Sequence, residues 1–227
     1  MRIVLFDIDG TLLLSGGAGL RALNRAWEEI FGHPGAMNDI RPDGMTDGAI
    51  IAEMGRRRMG RPPTAEEEGL VEKLYLRYLE DELPRSEGYR LMPGVTELLK
   101  RLSGEEDLLL GLVTGNFEPA SRLKLRRGAL EGFFRFGGYA TDSFDRMELT
   151  RIGIERGRAL AGAPVPDRAV FLVGDTVHDV RCGRASGARV VAVATGSTPA
   201  ETLRAEGPEH VLPDLTDTER VAGILRG

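Results

Sequence analysis

The sequence predicts an α/β protein built on a doubly wound parallel sheet, with an all-helical domain inserted after the first strand. Short apolar runs typical of buried strands alternate with stretches of helical periodicity over most of the chain. The exception is a block of about 70 residues after the first run, which contains helical patterns and no convincing strand. Strands that alternate with helices form right-handed βαβ units, so we expect a parallel sheet with helices on both faces.

The first apolar run, residues 2–6, ends in two closely spaced acids. Its Ile, Val, Leu and Phe predict a strand buried on both faces. Strand alternation places Asp7 and Asp9 on one side, and Gly10 allows a sharp turn after them. Acids at the carboxyl end of such a strand lie where open α/β sheets bind ligands. The Asp-Gly-Thr segment is also an ordinary turn signal, so this stretch alone leaves both interpretations open.

The inserted block begins with three glycines within residues 16–19, which suggest a flexible joint. Three helices are predicted after it. Gly32 closes the first, Thr46 caps the second, and Thr64 followed by acids starts the third. The predicted domains are an α/β core and a helical cap: core, 1–15 and 90–227; cap, 16–89.

The remainder of the chain alternates between the two patterns. A helix opened by Pro93 is followed in order by these predicted elements: strand 108–113, helix 118–127, short aromatic strand 133–139, helix 146–161, strand 169–173, helix 179–186, strand 189–194 and helix 216–225.

Composition limits the classes of function. The 227 residues suffice for one sizeable core with an accessory domain. A net charge of −5 gives no basis for nucleic-acid binding. The single cysteine, Cys182, excludes an intramolecular disulfide framework and fits a reducing cytosol. Because no apolar run approaches the ~20 residues that span a bilayer, and the first strand starts at once, we expect a cytoplasmic protein without a signal peptide or membrane partner, either monomer or homodimer.

Three predicted strands end in polar residues that a parallel sheet would bring to one edge. These residues are Asp7 and Asp9; Thr114, Gly115 and Asn116; and Asp175 and Asp179 in the segment 174–179. Four carboxylates in one crevice repel each other unless a cation binds between them. Oxygen ligands favour Mg²⁺, and no Cys/His spacing suggests zinc.

These three motifs, in this order and spacing, resemble those of the haloacid dehalogenase-like hydrolase superfamily. The helical insertion is similar to that superfamily's small cap of the first class. Closest in pattern are its phosphoglycolate-phosphatase-like members. The resemblance covers essentially the whole chain, and it implies a Rossmann-like core.

The resemblance implies separate roles for the two opening acids. Asp7 would be the nucleophile that forms an aspartyl-phosphate, and Asp9 the general acid and base. Mg²⁺ would be held by Asp7, the backbone carbonyl of Asp9 and Asp175, with Asp179 supporting it through water. Thr114, with the backbone N–H groups of the next two residues, would bind the phosphoryl oxygens.

The family also has a cation, usually Lys and sometimes Arg, before the helix that precedes the fourth predicted strand. The candidate here is Arg146, which would contact both the phosphate and the nucleophile. The alternative is a surface arginine paired with Asp142 or Asp145. Lys124 is a second candidate for this cation, although the arginines around it suggest a solvated basic helix face.

Specificity is expected to lie in the cap. Arg41 and Thr46 flank a loop that leads into the second helix, and either could contact the substrate. A solvated turn with a threonine cap explains them equally well. His178, between two motif acids, could touch the leaving group, although a surface or supporting role is also consistent.

The sequence thus predicts a Mg²⁺-dependent phosphatase for a small phosphorylated metabolite, phosphoglycolate-like or a sugar phosphate. Two alternatives stay open. A phosphomutase of the β-phosphoglucomutase type shares the two aspartates, and a catalytically idle family member would bind phosphate without turnover.

Overall fold

The computed structural model describes residues 1–227 and contains a six-stranded parallel sheet and a two-stranded ribbon. The eight strands are β1 (Arg2–Phe6), β2 (Leu13–Ser15), β3 (Tyr89–Leu91), β4 (Leu108–Val113), β5 (Gly137–Gly138), β6 (Val170–Gly174), β7 (Arg189–Val193) and β8 (His210–Leu212). The sheet order is β5-β4-β1-β6-β7-β8, with every pair parallel. Because the chain leaves β1 first for β4 and later returns to β6 on the other side, a crevice opens at the carboxyl end of β1.

Nine helices complete the fold, and the predicted α/β class is confirmed. They are α1 (Ala18–Phe31), α2 (Asp47–Met59), α3 (Ala65–Arg85), α4 (Val95–Ser103), α5 (Glu118–Arg127), α6 (Arg146–Ala161), α7 (Val177–Ala185), α8 (Ala200–Ala205) and α9 (Thr218–Arg226). Two faces of β1 bury alternate side chains: Val4 and Phe6 pack with residues of α4 and α9, and Ile3 and Leu5 with residues of α6. Each fully buried side chain of this kind stabilises the fold by about 1.5–3 kcal/mol.

The segment predicted to form the cap, residues 16–89, contains α1, α2 and α3, which pack around a second apolar cluster. We call this segment the cap. Trp27 and Tyr75 are its largest fully buried side chains. Phe117 and Ala120 of the α/β core belong to the same apolar cluster. The helix ends are those expected from the sequence: Gly32 is left-handed, and the Thr46 and Thr64 hydroxyls accept hydrogen bonds from their own helices. The cap therefore packs directly against the core.

The junction between cap and core is an antiparallel ribbon of β2 and β3, in which Ser15 lies opposite Tyr89. The Ser86 hydroxyl donates to the carbonyls of Ser15 and Gly16, at 2.7 and 3.0 Å. Gly16, with a φ of +62°, packs against Gly88 with no room for a Cβ atom. The expectation of a loose glycine joint is therefore wrong: the junction is hydrogen-bonded and closely packed.

Three other elements differ from the prediction. The expected strand 133–139 is reduced to β5, because the preceding residues form a 3₁₀ turn and Phe136 turns its ring against Gly111 and Gly157. Two short elements, α8 and β8, were not predicted. Strands and helices this short contain too few residues for periodicity to show. None of the helices combines the length and apolar character that crossing a bilayer requires.

Candidate active site

A cavity of about 290 Å³ lies between the cap and the carboxyl ends of β1, β4 and β6. Most of the predicted site residues line it: Asp7, Asp9, Thr114, Gly115, Asn116, Arg146 and Asp175. The structure thus brings together side chains that lie more than 160 residues apart in the sequence.

Three carboxylates, those of Asp7, Asp175 and Asp179, converge at one end of this cavity, with oxygens within 4.8 Å of one another. All three residues are buried, so water screens their repulsion poorly. Burial, and then the charge of Asp179, holds the pKa of the Asp7 carboxyl well above its usual range. A bound cation would relieve this repulsion, and an all-oxygen ligand set is the kind that Mg²⁺ prefers.

Asp175 follows β6 and is held from several sides. The Thr11 hydroxyl donates to its Oδ1 at 2.8 Å. A Cβ atom at Gly10 or Gly196 would lie 2.4 or 1.7 Å from its Oδ2, so both positions require glycine for this packing. Burial, and then the charge of Asp179, raises the pKa of Asp175 to about 7. The carboxylate is therefore fixed in a place that disfavours its charge.

Arg146, at the start of α6, provides the positive charge next to these acids. Its guanidinium donates to Asp179 and lies 3.6 Å from Oδ1 of Asp7. Burial lowers the pKa of Arg146, but the charges of Asp179 and Asp7 raise it overall. Neither Asp142 nor Asp145 pairs with it: the first bonds another arginine and the second caps α6. The interpretation of Arg146 as a surface residue is therefore excluded.

Asp179 uses both oxygens within the protein. Its Oδ2 accepts hydrogen bonds from the N–H and the hydroxyl of Thr176, at 3.0 and 2.7 Å, and so caps α7. Its Oδ1 accepts from Arg146. This arrangement positions the guanidinium and leaves Asp179 suited to a supporting role at a metal.

The side chain of Asp9 points away from this acid cluster, toward α5. The Lys124 ammonium donates to its two oxygens at 2.9 and 2.7 Å, and the Asn116 amide donates to Oδ2 at 2.7 Å. Lys124 also donates to Oδ1 of Asn116 at 2.6 Å. The Asp9 side chain is 40% exposed, whereas that of Lys124 is 6% exposed. A fixed carboxylate that still faces the cavity is suited to exchange protons with a ligand.

The expectation that Lys124 lies on a solvated basic face is wrong. It shares the buried face of α5 with Ala120 and Ser121, four and three residues before it. Arg122 and Arg126 lie on the exposed side and pair with glutamates. The basic residues are close together in the sequence, but helical spacing places Lys124 on the buried face of α5 and the arginines on the exposed face.

The loop after β4 supplies Thr114, Gly115 and Asn116. The Thr114 hydroxyl accepts hydrogen bonds from the backbone N–H and the side-chain amide of Asn116, at 3.3 and 2.7 Å. A Cβ atom on Gly115 would lie 2.2 Å from the Met45 carbonyl oxygen, so only glycine allows the cap to approach this loop so closely. The loop thus contacts the cavity, the cap and Asp9 at once.

Asp47, at the start of α2, joins the cap to the same loop and was not recognised in the sequence as a site residue. Its carboxylate accepts a hydrogen bond from the Phe117 N–H at 2.8 Å, and its own N–H donates to the Gly115 carbonyl at 2.6 Å. Burial raises the pKa of Asp47 to about 6, although Lys124 lowers it. An acid in the first turn of a helix usually has a local explanation, so no signal in the sequence pointed to this contact.

The two tentative substrate residues of the cap are not placed in the cavity. Arg41 is exposed and lies outside its lining. Thr46 is buried, and its hydroxyl accepts from Ala49 and donates to the Phe144 carbonyl at 3.1 Å. Thr46 therefore caps α2 and joins it to the core, which corrects its expected role. His178 packs against Gly44 of the cap loop and does not line the cavity.

Comparison with known proteins agrees with this architecture. The family model of haloacid dehalogenase-like hydrolases matches residues 4–184, and a second HAD-hydrolase-like model matches residues 156–218. A phosphoglycolate phosphatase of Aquifex aeolicus is 26% identical over 96% of this chain and 94% of its own. That of Pseudomonas putida is 25% identical over 94% and 77%. The crystal structure of a predicted phosphoglycolate phosphatase from Haemophilus somnus superposes with a TM-score of 0.73 at 17% identity, covering 98% of each chain.

The chain therefore belongs to the haloacid dehalogenase-like hydrolase family. Within that family it groups with the phosphatases, in agreement with the resemblance of its three motifs.

Proposed function

We propose that the protein is a Mg²⁺-dependent phosphatase that hydrolyses a small phosphomonoester through an aspartyl-phosphate on Asp7. One observation carries this proposal: the two cavity acids that follow β1 have different partners. Asp7 lies in the acid cluster beside Arg146, whereas Asp9 is held by Lys124 and Asn116. Different surroundings for two acids are typical of one nucleophile and one proton carrier.

In the first step an oxygen of Asp7 attacks phosphorus, and the ester P–O bond breaks. The electron pair of that bond leaves with the alkoxide oxygen, to which Asp9, entering this step as the carboxylic acid, donates its proton. In the second step Asp9 takes a proton from water, which attacks phosphorus and breaks the bond to Asp7. Inorganic phosphate is released, and both carboxyl groups return to their starting state.

Asp7, the Asp9 carbonyl and Asp175 would hold the metal, and Asp179 would support it. Bound Mg²⁺ would neutralise charge between the anionic nucleophile and the anionic phosphoryl group. Arg146 adds a fixed positive charge on the side of Asp7.

The phosphoryl group would lie against the loop after β4, with Thr114 and the backbone N–H groups of Gly115 and Asn116 binding its oxygens. Donors fixed before the reaction stabilise the developing charge without reorganisation. The cavity lies near the lower end of the ~300–1,000 Å³ range of ligand pockets, which favours a small phosphorylated metabolite. We place the enzyme in the cytoplasm, in keeping with its single, buried cysteine.

Phosphate release from p-nitrophenyl phosphate in the presence of MgCl₂ tests the proposal. We expect turnover by the wild type and a loss of at least about 10³-fold in kcat for Asp7→Asn, which keeps the shape of the side chain. Asp81→Asn, an exposed acid of the cap, is the matched control. Retention of phosphate release by Asp7→Asn contradicts the nucleophile assignment, and transfer to a sugar without release favours the mutase.

Metal binding has its own readout in thermal unfolding. Because Mg²⁺ binds the folded state, a concentration of 100 times Kd should raise the free energy of unfolding by about 2.7 kcal/mol. We expect Asp175→Asn to lose most of this effect and Asp81→Asn to keep it. An equal Mg²⁺ effect in all three proteins contradicts the proposed ligand set.

A further inference from the structure

The cap side of the cavity is mainly apolar. The six hydrophobic side chains of its lining all come from the cap: Leu20, Leu23, Met37, Met45, Ile50 and Tyr75. Leu20 is 38% exposed, although it belongs to a helix whose other leucine is buried in the cap core. A ligand that covered this wall would gain about 25 cal/mol for each Å² of apolar surface removed from water.

No positive side chain of the cap reaches this wall. The cap sequence contains nine arginines and one lysine, and none of them lines the cavity. Several are held outside it in ion pairs; Arg21 and Arg25, for example, contact Glu82 at 2.7 and 2.9 Å. The cavity's cations, Lys124 and Arg146, come from the α/β core and are already paired with acids.

Two acids of the cap line the same space. Asp43 belongs to the loop before α2, and Asp47 is bonded to the core. A second negative group on the substrate would therefore lie among acids, without a cation of its own. Bringing an unpaired charge into such a site costs several kcal/mol.

Tyr75 is the one of these six hydrophobic side chains that carries a hydroxyl group. Its residue is 1% exposed and lines the cavity, and its hydroxyl makes no hydrogen bond within the chain. Burial holds the pKa of Tyr75 well above its usual range, so the hydroxyl keeps its proton. The hydroxyl oxygen is open to the cavity, so a neutral hydroxyl or carbonyl on the substrate would form a hydrogen bond with it.

On the basis of the phosphatase function proposed above, we infer that the leaving group is a small uncharged alcohol with apolar surface and one polar group that bonds Tyr75. Substrates whose leaving group carries a carboxylate, phosphoglycolate included, are disfavoured by the same wall. This inference narrows the substrate class and concerns the residues of the cap, not those that carry out the chemistry.

A matched pair of esters tests the inference. Phosphoglycolate and 2-hydroxyethyl phosphate have the same number of carbon atoms. The first has a carboxylate where the second has a hydroxymethyl group. We expect kcat/KM of the wild type to be about tenfold or more higher for the uncharged ester. Equal values of kcat/KM, or a preference for phosphoglycolate, overturn the inference while the phosphatase function stands. If phosphoglycolate is preferred and Arg41→Ala loses that preference, Arg41 is the cation that binds the carboxylate.

A gain of charge provides the complementary test. Leu20→Arg places a cation at the partly exposed edge of the wall and should raise the ratio of phosphoglycolate to 2-hydroxyethyl phosphate turnover about tenfold. Leu70→Arg, another exposed leucine of the cap that lies outside the cavity, should leave the ratio unchanged. An unchanged ratio in Leu20→Arg contradicts the inference.

Binding separates this inference from the proposed function. If no ester, p-nitrophenyl phosphate included, is hydrolysed, the phosphatase proposal fails. Calorimetric titration of Asp7→Asn with the same two esters and MgCl₂ still decides the leaving group. Tighter binding of 2-hydroxyethyl phosphate supports the inference, and tighter binding of phosphoglycolate overturns it.

Discussion

At the scale of single residues, the ion pair of Lys124 and Asp9 fixes the orientation of the Asp9 carboxylate as well as balancing its charge. Lys124 is almost fully buried, and its three hydrogen bonds go to Asp9 and Asn116. Removing one partner of such a pair leaves the other charge without compensation. In the proposed mechanism Lys124 is a positioning residue, because it acts through Asp9.

We therefore expect Lys124→Met to lower kcat for p-nitrophenyl phosphate by about 10²–10³-fold, a loss comparable to that of Asp9→Asn. The double variant should lose no more than the worse single variant, because both changes disable one unit. Steady-state kinetics of the three variants measure this coupling. Losses that multiply in the double variant would show that Lys124 acts independently of Asp9.

At the scale of elements, the N-terminus of α2 is docked on the loop after β4. Asp47 bonds that loop through both its carboxylate and its N–H, and Gly115 lets the Met45 carbonyl approach. The ring of Phe144 packs over Gly48 on the same helix. The loop proposed to bind phosphate thus also anchors the cap, which ties cap position to the site.

Ionisation of Asp47 should weaken this docking. Burial raises its pKa from 3.8 to about 6 in the folded protein, so its contribution to stability is present below the unfolded pKa and is lost as pH rises through about 6. Asp47→Asn keeps an oxygen for the Phe117 N–H without the charge. At pH 7.5 we expect the free energy of unfolding of Asp47→Asn to exceed that of the wild type by about 1–3 kcal/mol. Near pH 4 we expect the two free energies to be equal.

Urea unfolding at the two pH values measures these differences. Asp43→Asn, at an exposed acid of the loop before α2, should differ from wild type by less than about 0.5 kcal/mol at both pH values. If Asp47→Asn is less stable than the wild type by the same amount at both pH values, the prediction is wrong and the Asp47 carboxylate holds the cap in its charged form.

At the scale of the whole molecule, the cap and the α/β core share one apolar cluster. Phe117 and Ala120 of the core pack with the cap residues around Trp27 and Tyr75, and the rings of Tyr75 and Phe117 lie 6.5 Å apart. The junction ribbon is hydrogen-bonded as well. Such continuity favours unfolding of cap and core as one unit.

Trp27, the single tryptophan, reports on the cap alone. Far-UV circular dichroism reports on the helices of the whole chain. The fluorescence of Trp27 and the dichroism should therefore give the same urea midpoint for the wild type. Phe117→Ala should lower stability by about 3–5 kcal/mol, whereas Leu160→Ala, at an exposed leucine of α6, should have little effect. A tryptophan transition at lower urea than the dichroism transition in the wild type contradicts this cooperativity.

Much of the architecture follows from local patterns in the sequence. The bounds of α5 and α6 match the predicted helices, and β1 and β4 match the predicted strands, because helical spacing and buried apolar runs are properties of neighbouring residues. The convergence of Asp7, Thr114 and Asp175 could also be predicted, since parallel strands share one carboxyl edge. The short pairing of β2 with β3 could not, because three residues show no periodicity.

The sequence by itself therefore determined the fold class and the acids at the strand ends. Only the tertiary structure decided which charges face each other: Lys124 bonds Asp9, Arg146 bonds Asp179, and Asp47 bonds the core. The physical reason is that a charged side chain looks alike in sequence whether it is solvated or buried. Its partners lie on elements far apart in the chain, and packing alone brings them within hydrogen-bonding distance.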